Sequence, residues 1–287
     1  MQPEVTTQSS PVGLFDSGVG GLSVIRSLWT ELPDEDLLFL ADQAHVPYGP
    51  RPLEEVRQFA KEITRFLLDQ GAKLIVVACN AASAAALQYL RQTFPQTTFV
   101  GMEPAVKPAV EHSQSKVVAV LATPATFQGQ LYASLVDRFA AGTLLLQHTC
   151  PGLVAQIEAG DLDGSSTRQI LEEALRPMLA QGADTVVLGC THYPFVIPLI
   201  QQIVGPEVRV IDPAPAVAHQ VRYVLETQDL CRHSPIDLSP AADINPILRT
   251  RFLTTGDASR FQTALSHLLG VQAKTTRIEW IDGRLVM

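Results

Sequence analysis

Short runs of apolar, mostly β-branched residues alternate along the chain with longer segments whose apolar positions recur every three or four residues. The longer segments predict amphipathic helices, most clearly from Leu53 to Leu67. Another predicted helix spans 167–181, where we expect Pro177 to introduce a kink. The short runs have the length and composition of buried strands. The predicted strands are 11–15, 37–41, 74–78, 98–101, 116–121, 143–147, 185–188 and 208–211.

Strands and helices that alternate in this way predict an α/β protein with parallel sheets covered on both faces. A weak internal repeat refines this picture, because the strand before Asp16 and the strand before Thr123 each lead into a small polar turn. Cys79 follows Asp16 by 63 positions and Cys190 follows Thr123 by 67 positions, and each cysteine ends an apolar run. We therefore predict two pseudosymmetric, doubly wound units that face each other across a cleft.

The predicted division of the chain places residues 1–104 and 214–287 in the first domain and residues 105–213 in the second. The first ten residues have the composition of a loose tail. After the predicted strand at 208–211 comes an apolar helix and then a proline-rich linker at 234–246. A further strand, a helix and a strand follow the linker. We expect this C-terminal part to return to the first domain and complete it.

Composition restricts the class of protein. Hydrophobic residues make up 46% of the chain and charged residues 17%, which is typical of a well-packed enzyme. The net charge of −8 comes without a basic cluster, so we expect neither nucleic acid nor a membrane as a partner. The N-terminal residues lack the pattern of a secretory signal, which favours a cytoplasmic location and four reduced cysteines rather than disulfides.

Five small polar segments lie near the predicted carboxyl ends of strands, where open α/β sheets bind ligands. Cys79 and Cys190 lie in two of them, each where a strand is expected to lead into a helix. Because a helix N-terminus favours negative charge, we expect the pKa of both thiols to lie below the value of about 8.5 for a free cysteine. Cys150 and Cys231 are interpreted as small buried hydrophobic residues. The five segments are DSGVGG from Asp16, PYG from Pro47, CNAAS from Cys79, TPAT from Thr123 and GCTHYP from Gly189.

Two thiols from equivalent positions of a repeat suggest a pair that acts on opposite faces of one substrate. Racemisation of an amino acid needs such a pair, since a proton leaves one face of the α-carbon while another arrives on the other face. Hydrogen-bond donors must also stabilise the charge that builds on the α-carboxylate. The candidate donors and assisting groups are Ser17, Asn80 and Thr191, with Asp16 and His192 as neighbours of the two thiols.

Each of these residues also has a simpler interpretation: Asp16 as a turn former, His192 as a packed histidine and Tyr48 as a loop aromatic. Other kinds of site fit less well. The glycine-rich DSGVGG segment has no lysine and does not match a phosphate-binding loop. The cysteines lack the C-x-x-C spacing of a metal site, so no metal is expected. None of the lysines lies in the five polar turns, so no pyridoxal phosphate cofactor is expected either.

Taken together, seven segments make the chain resemble the glutamate racemases of the cofactor-independent aspartate/glutamate racemase family along nearly its whole length. The two-domain pseudosymmetric fold of that family, with its active site in the cleft between the domains, agrees with the repeat. The segments are GLFDSGVGGLSV from Gly13, ADQAHVPYG from Ala41, VVACNAAS from Val76, GMEPAVKPA from Gly101, LATPAT from Leu121, GCTHYPF from Gly189 and FLTTGD from Phe252.

The resemblance implies a role for each matching residue. It makes Cys79 the base for D-glutamate and Cys190 the base for L-glutamate, with Glu158 as an acid that assists Cys190. The sequence by itself favours an exposed helix position for Glu158. Catalytic roles are thus implied for Cys79, Cys190, Asp16, His192 and Glu158, and substrate contacts for Asp16, Ser17, Tyr48, Gly49, Asn80, Thr191 and His192.

The resemblance further implies glutamate as the substrate, independence from pyridoxal phosphate and metals, and a supply of D-glutamate for peptidoglycan synthesis. The resemblance leaves open whether the protein forms a homodimer. One position departs from the family pattern, because Ala81 stands where a threonine usually follows the asparagine. Three alternatives remain: a racemase for aspartate or another small substrate, a hydrolase with one cysteine nucleophile, and a module that binds a small acid without chemistry.

Overall fold

A computed structural model describes residues 7–232 and 245–287 of the chain. Residues 1–6 of the predicted tail and 234–244 of the predicted linker lie outside the described residues.

All eight predicted strands form, with bounds that differ from the predicted ones by at most one residue at either end. Their residues are almost entirely buried in the centre of each sheet, as expected for parallel strands covered on both faces. The strands are β1 (Val12–Asp16), β2 (Leu37–Ala41), β3 (Leu74–Val77), β4 (Phe99–Gly101), β5 (Val117–Ala122), β6 (Leu144–His148), β7 (Thr185–Gly189), β8 (Arg209–Ile211), β9 (Thr250–Thr254), β10 (Thr275–Arg277), β11 (Glu279–Ile281) and β12 (Arg284–Val286).

Helices connect these strands. The predicted helix from Leu53 is α2, and the predicted helix over 167–181 is α8, which continues through Pro177. Short 3₁₀ helices occupy Tyr193–Val196 and Pro246–Arg249. The α-helices are α1 (Leu22–Glu31), α2 (Leu53–Asp69), α3 (Asn80–Thr93), α4 (Val106–His112), α5 (Pro124–Gln128), α6 (Gln130–Phe139), α7 (Leu153–Glu158), α8 (Ser165–Ala180), α9 (Ile197–Val204), α10 (Ala214–Thr227) and α11 (Ala258–Leu269).

Two parallel sheets organise the described residues and share one topology. The larger sheet has the strand order β10–β9–β2–β1–β3–β4, and the smaller sheet has the order β6–β5–β7–β8. The segment β2–β1–β3–β4 of the first therefore corresponds to β6–β5–β7–β8 of the second. The strand order reverses between β1 and β3 in the larger sheet and between β5 and β7 in the smaller sheet. Open α/β sheets bind ligands in the crevice at such a reversal.

The C-terminal part returns to the larger sheet, as predicted. β9 pairs in parallel with β2, and β10 pairs with β9. α10 packs against α1 on the same unit. The strands of the larger sheet come from both ends of the chain and those of the smaller sheet from its middle. The boundaries at 104/105 and 213/214 stay a prediction.

One hydrophobic cluster crosses from one unit to the other. It joins side chains of β1 and α1, such as Leu14 and Leu28, to side chains of β7 and its following turn, such as Leu188 and Tyr193. The two units therefore pack closely beside the cleft. None of the helices within residues 7–232 and 245–287 has both the length and the hydrophobicity of a membrane-spanning segment.

A buried ion pair lies at the opposite end of the larger sheet from the polar turns. The Lys73 ammonium donates to a Glu35 carboxylate oxygen at 2.6 Å and to the backbone carbonyl of Gln8 at 2.8 Å. The other Glu35 oxygen accepts the backbone N–H of Arg232 at 2.6 Å. The side chains of Lys73 and Glu35 are 0% and 1% exposed, so loss of either charge leaves the other buried without a partner.

Replacement of Lys73 by methionine should therefore lower the free energy of unfolding by about 3–5 kcal/mol, measured by urea denaturation at neutral pH. The double variant Lys73→Met/Glu35→Gln should be more stable than the single variant, because no charge is then buried unpaired. Lys107→Met is the control, since its ion pair with Glu111 is more than half exposed on both sides, and it should cost under about 1 kcal/mol. A double variant as unstable as Lys73→Met would contradict this account.

Candidate active site

The turns after β1, β3, β5 and β7 meet at a small cavity between the two units. Its volume of about 20 Å³ leaves room for about one water molecule, so the structure is closed around this space. Both thiols singled out in the sequence line it, one from each unit. The lining residues are Ser17, Pro47, Tyr48, Gly49, Cys79, Asn80, Ala81, Thr123, Val154, Cys190, Thr191 and His192.

Cys79 caps the N-terminus of α3, where its sulfur accepts the backbone N–H of Ala82 at 3.5 Å. The sulfur also lies 3.9 Å from the Ser17 hydroxyl oxygen. The expectation that this thiol ionises readily is wrong. Burial and the nearby Asp16 carboxylate raise the pKa of Cys79, and hydrogen bonds from the backbone N–H groups of Ala82 and Ser17 lower it less. Cys79 is therefore a thiol at neutral pH in this closed state.

Asp16 lies at the end of β1 with no exposed surface. One carboxylate oxygen accepts the backbone N–H of Gly18 at 2.7 Å, and the other accepts the Thr191 hydroxyl at 2.8 Å across the cleft. Burial raises the pKa of Asp16 to about 6, although the charge on His192 and these hydrogen bonds act in the opposite direction. The turn-forming interpretation is correct for the Gly18 contact, but Asp16 also links the two units.

Cys190 follows β7 and precedes the 3₁₀ helix Tyr193–Val196 rather than an α-helix. Its polar neighbour is His192, whose Nδ1 lies 3.8 Å from the sulfur and whose Nε2 lies 2.7 Å from a Glu158 carboxylate oxygen. Burial alone would lower the pKa of His192, but Cys190 and Glu158 outweigh it and raise the pKa well above its usual range. A protonated imidazole thus stands between the Cys190 sulfur and the Glu158 carboxylate.

Glu158 is not the exposed helix acid that the sequence by itself favours. It lies at the end of α7, where its side chain is 14% exposed and accepts the backbone N–H of Val19 at 2.8 Å and the Gln43 amide at 3.1 Å. Burial opposes ionisation of Glu158, but His192, Val19 and Gln43 together lower its pKa below the usual value. Glu158 therefore carries its charge at neutral pH and holds His192 in place.

The glycines of DSGVGG allow this contact. A Cβ atom at Gly18 would lie 1.9 Å from a Glu158 carboxylate oxygen, and one at Gly20 would lie 2.5 Å from the His192 ring. A side chain at either position would therefore force Glu158 or His192 to shift from its position. The glycine-rich segment is thus explained by close packing between the units.

Tyr48 and Gly49 form a second wall of the cavity. The Tyr48 hydroxyl donates to Asp42 at 2.6 Å, and burial together with that carboxylate raises the pKa of Tyr48 well above its usual range. Gly49 accepts the backbone N–H of Ala125 at 3.0 Å, and a Cβ at Gly49 would lie 2.7 Å from the Thr123 side chain. This wall closes against the turn after β5.

Asn80 is 2% exposed, and neither polar atom of its side chain has a hydrogen-bond partner among the described residues. A buried, unpartnered amide at a cavity costs free energy unless a ligand satisfies it. Ala81 beside it offers a backbone N–H but no hydroxyl. The Ser83 hydroxyl, which stands two positions on, donates to the Val77 carbonyl at 3.0 Å and accepts the Met102 N–H at 2.8 Å, so it cannot replace one.

The structure brings every predicted site residue to the cavity or into contact with one that lines it. Sequence reasoning placed Thr123 in a polar turn at a strand end but gave it no role, and it missed Val154 as a lining residue and Asp42 as the partner of Tyr48. Val154 lies one helical turn before Glu158, which was a usable signal for it. Cys150 is buried outside the cavity, as expected, whereas Cys231 is only partly buried. In the part of the chain that the structure describes, no group of three or more His, Cys, Asp or Glu residues is arranged to hold a metal ion.

Comparison with known proteins agrees with this geometry. A model of the Asp/Glu/hydantoin racemase family matches residues 20–221. A glutamate racemase of Ectopseudomonas mendocina is 47% identical over 265 residues, which are 92% of this chain and 97% of that relative. The glutamate racemase of Thermus thermophilus in complex with β-chloro-D-alanine is 34% identical with a TM-score of 0.78, over 95% of this chain and 98% of that one. The glutamate racemase of Francisella tularensis in complex with D-glutamate is 27% identical with a TM-score of 0.78, over 94% and 97% of the two chains.

The raised pKa of Asp16 has a consequence for stability. A carboxyl group whose pKa rises on folding, here from 3.8 to about 6, binds its proton more tightly in the native state. Stability from this group therefore falls as the pH rises from about 4 to about 6 and stays lower above that range. Asp16→Asn should raise the free energy of unfolding at pH 8 by up to about 3 kcal/mol and by much less at pH 4, measured by urea denaturation.

Asp184→Asn provides the opposite control. Hydrogen bonds from Ser113, Gln114 and Ser115 lower the pKa of Asp184 to about 2 despite its partial burial, so loss of this charge should destabilise the protein at pH 8. Destabilisation by Asp16→Asn at pH 8 would contradict this account, because it would show that the buried, charged Asp16 carboxylate does not lower the stability of the folded protein.

Proposed function

The chain belongs to the Asp/Glu/hydantoin racemase family, and we propose that it interconverts L- and D-glutamate with Cys79 and Cys190 as paired acid/base groups. The protein is therefore an isomerase. The observation that carries the two-thiol mechanism is the position of Cys79 after β3 and Cys190 after β7, at equivalent strand ends of the two units and on one cavity.

Substrate binding follows from the unsatisfied groups at the cavity. The Asn80 amide and the free N–H groups at the start of α3 can donate to the α-carboxylate. The remaining walls surround the side-chain carboxylate and the ammonium group of glutamate. Ser17, Thr191 and the turn at Tyr48 and Gly49 form these walls. Because the closed cavity holds about one water molecule, the two units must separate before glutamate enters.

The chemistry needs only two proton transfers. From L-glutamate, the Cys190 thiolate takes the α-proton, and the electron pair of the broken C–H bond moves toward the α-carboxylate. The Cys79 thiol then donates its proton to the opposite face of the α-carbon and becomes a thiolate. The reverse direction exchanges these roles. Donors around the carboxylate stabilise the transient negative charge in a site that excludes water.

The two sides are prepared differently for these steps. Burial and Asp16 keep Cys79 protonated, so it starts as the proton donor in the direction from L to D. On the other side, the protonated His192 faces Cys190 and is held by Glu158, so negative charge on that sulfur meets a positive neighbour. Asp16, His192 and Glu158 thus act on the thiols, and no step requires a cofactor.

The wider setting is part of the same proposal. D-glutamate produced here supplies peptidoglycan synthesis, and the reaction takes place in the cytoplasm, where thiols stay reduced. The domain division at 104/105 and 213/214 places one thiol in each domain. Assembly as a homodimer is compatible with this division.

Each thiol should serve one direction of proton abstraction. Cys79→Ser and Cys190→Ser should each lower racemisation by roughly a hundredfold to ten-thousandfold, the usual contribution of a general acid or base. In deuterated water, the residual α-proton exchange of Cys79→Ser should favour L-glutamate, and that of Cys190→Ser should favour D-glutamate. Circular dichroism measures the rate of racemisation, and nuclear magnetic resonance measures the α-proton exchange.

Cys231→Ser is the matched control and should racemise like the original protein, since Cys231 lies outside the cavity. Wild-type rates in either active-site variant, or the same preferred enantiomer in both, would contradict the two-thiol mechanism.

The departure at Ala81 gives a second prediction. A hydroxyl bonded to a charged carboxylate contributes about 1.5–3 kcal/mol, and the Ser83 hydroxyl is already engaged. Ala81→Thr should therefore lower KM for glutamate roughly tenfold with little change in kcat, because ground state and transition state gain the contact alike. Steady-state kinetics in both directions measures this. An unchanged or higher KM would show that the pocket is complete without the hydroxyl.

A further inference from the structure

Asp42 is a fully buried carboxylate that lies one residue after β2 and does not line the cavity. One of its oxygens accepts the Tyr48 hydroxyl at 2.6 Å and His45 Nδ1 at 2.9 Å. The other accepts the Thr255 hydroxyl at 2.8 Å and the indole N–H of Trp280 at 2.8 Å. Asp42 therefore joins the wall of the cavity at Tyr48 to a segment 238 positions further along the chain.

Trp280 belongs to the hairpin β11–β12, which forms a separate two-stranded sheet near the C-terminus. Strands of three residues are too short to be stable alone, so the hairpin depends on its packing. Its inward-facing side chains, Trp280 and Leu285, pack on the hydrophobic cluster that contains Tyr48. The hairpin is thus attached to the same cluster that supports the cavity wall.

Aromatic packing follows the same path as the hydrogen bonds. The Trp280 ring lies 5.1 Å from the His45 ring and 5.9 Å from the Phe59 ring, measured between centroids. Phe59 in turn lies 5.6 Å from Tyr48. Two independent kinds of contact therefore run from the hairpin to the turn that carries Tyr48 and Gly49.

We propose that Trp280 is a positioning residue, through which the C-terminal hairpin holds the Tyr48–Gly49 wall in its substrate-binding arrangement. The indole N–H orients the Asp42 carboxylate, and that carboxylate fixes the Tyr48 hydroxyl and with it the backbone of the turn. The inference rests on the proposed function, because its effect is measured as affinity for glutamate. Trp280 touches no reacting atom, so its loss should weaken binding more than it slows the chemical steps.

Trp280→Phe tests this inference, since it removes the N–H donor and keeps an aromatic ring in place. KM for glutamate should rise about tenfold in both directions, as expected for loss of a hydrogen bond to a charged group, while kcat stays within about threefold. Trp29→Phe is the matched control. The Trp29 N–H donates to the Thr250 hydroxyl at 2.9 Å in the same unit, and Trp29 lies outside the cavity. It should lose comparable stability to urea without a change in KM.

The chain has two tryptophans, so each variant also leaves a single fluorescent reporter. In Trp29→Phe the remaining Trp280 should change its emission when an equilibrated mixture of the glutamate enantiomers is added, because the wall it supports binds the substrate. In Trp280→Phe the remaining Trp29 should not respond. A purely structural hairpin would leave the emission of Trp280 unchanged by glutamate.

The outcomes separate this inference from the proposed function. If the original protein does not racemise glutamate, the proposed function is wrong. If the original protein is active, an unchanged KM in Trp280→Phe, or an equal rise in both variants, overturns the role of Trp280. Should Trp280→Phe fail to fold, Thr255→Val removes the other donor to the same Asp42 oxygen and is judged by the same rise in KM, together with the emission of Trp280 in Trp29→Phe.

Discussion

The close contact between the turn after β1 and the opposite unit brings the polar groups of the site together. Gly18 and Gly20 have no side chains, so the backbone approaches Glu158 and His192 within distances that a Cβ atom would not allow. Only at this distance can Val19 donate to Glu158 and Asp16 accept from Thr191. This approach brings the two units together at the cavity that Cys79 and Cys190 line.

Pseudosymmetry places the two thiols equivalently but gives them different surroundings. The strand order β2–β1–β3–β4 repeats as β6–β5–β7–β8, so Cys79 and Cys190 occupy matching strand ends. Cys79 adjoins the Asp16 carboxylate, whereas Cys190 adjoins an imidazolium that is held by the Glu158 carboxylate. A reversible reaction between mirror-image substrates thus takes place in a site whose two halves are not chemical copies.

The part of the chain farthest from the cysteines in sequence also reaches the cavity. β9 extends the larger sheet beside β2, and the hairpin β11–β12 places Trp280 against Asp42. A buried carboxylate that accepts four hydrogen bonds has little freedom to move. The Tyr48 hydroxyl donates one of these bonds, so Asp42 also holds Tyr48 in position. The walls of the cavity are therefore supported from outside the repeat.

Hydrophobic period and residue type are local properties, so they are enough to predict the fold class, the eight strands of the repeat and the polar turns at the strand ends. The charge states and hydrogen-bond partners of the site residues depend on the tertiary structure. A thiol at a helix N-terminus is expected to ionise readily, but burial and Asp16, which lies 63 positions away in the chain, outweigh the helix at Cys79. The same limit applies to Glu158, which periodicity cannot distinguish from an exposed acid, and to Trp280. Desolvation and long-range hydrogen bonds depend on which segments pack together in space, and a local pattern carries no information on that packing.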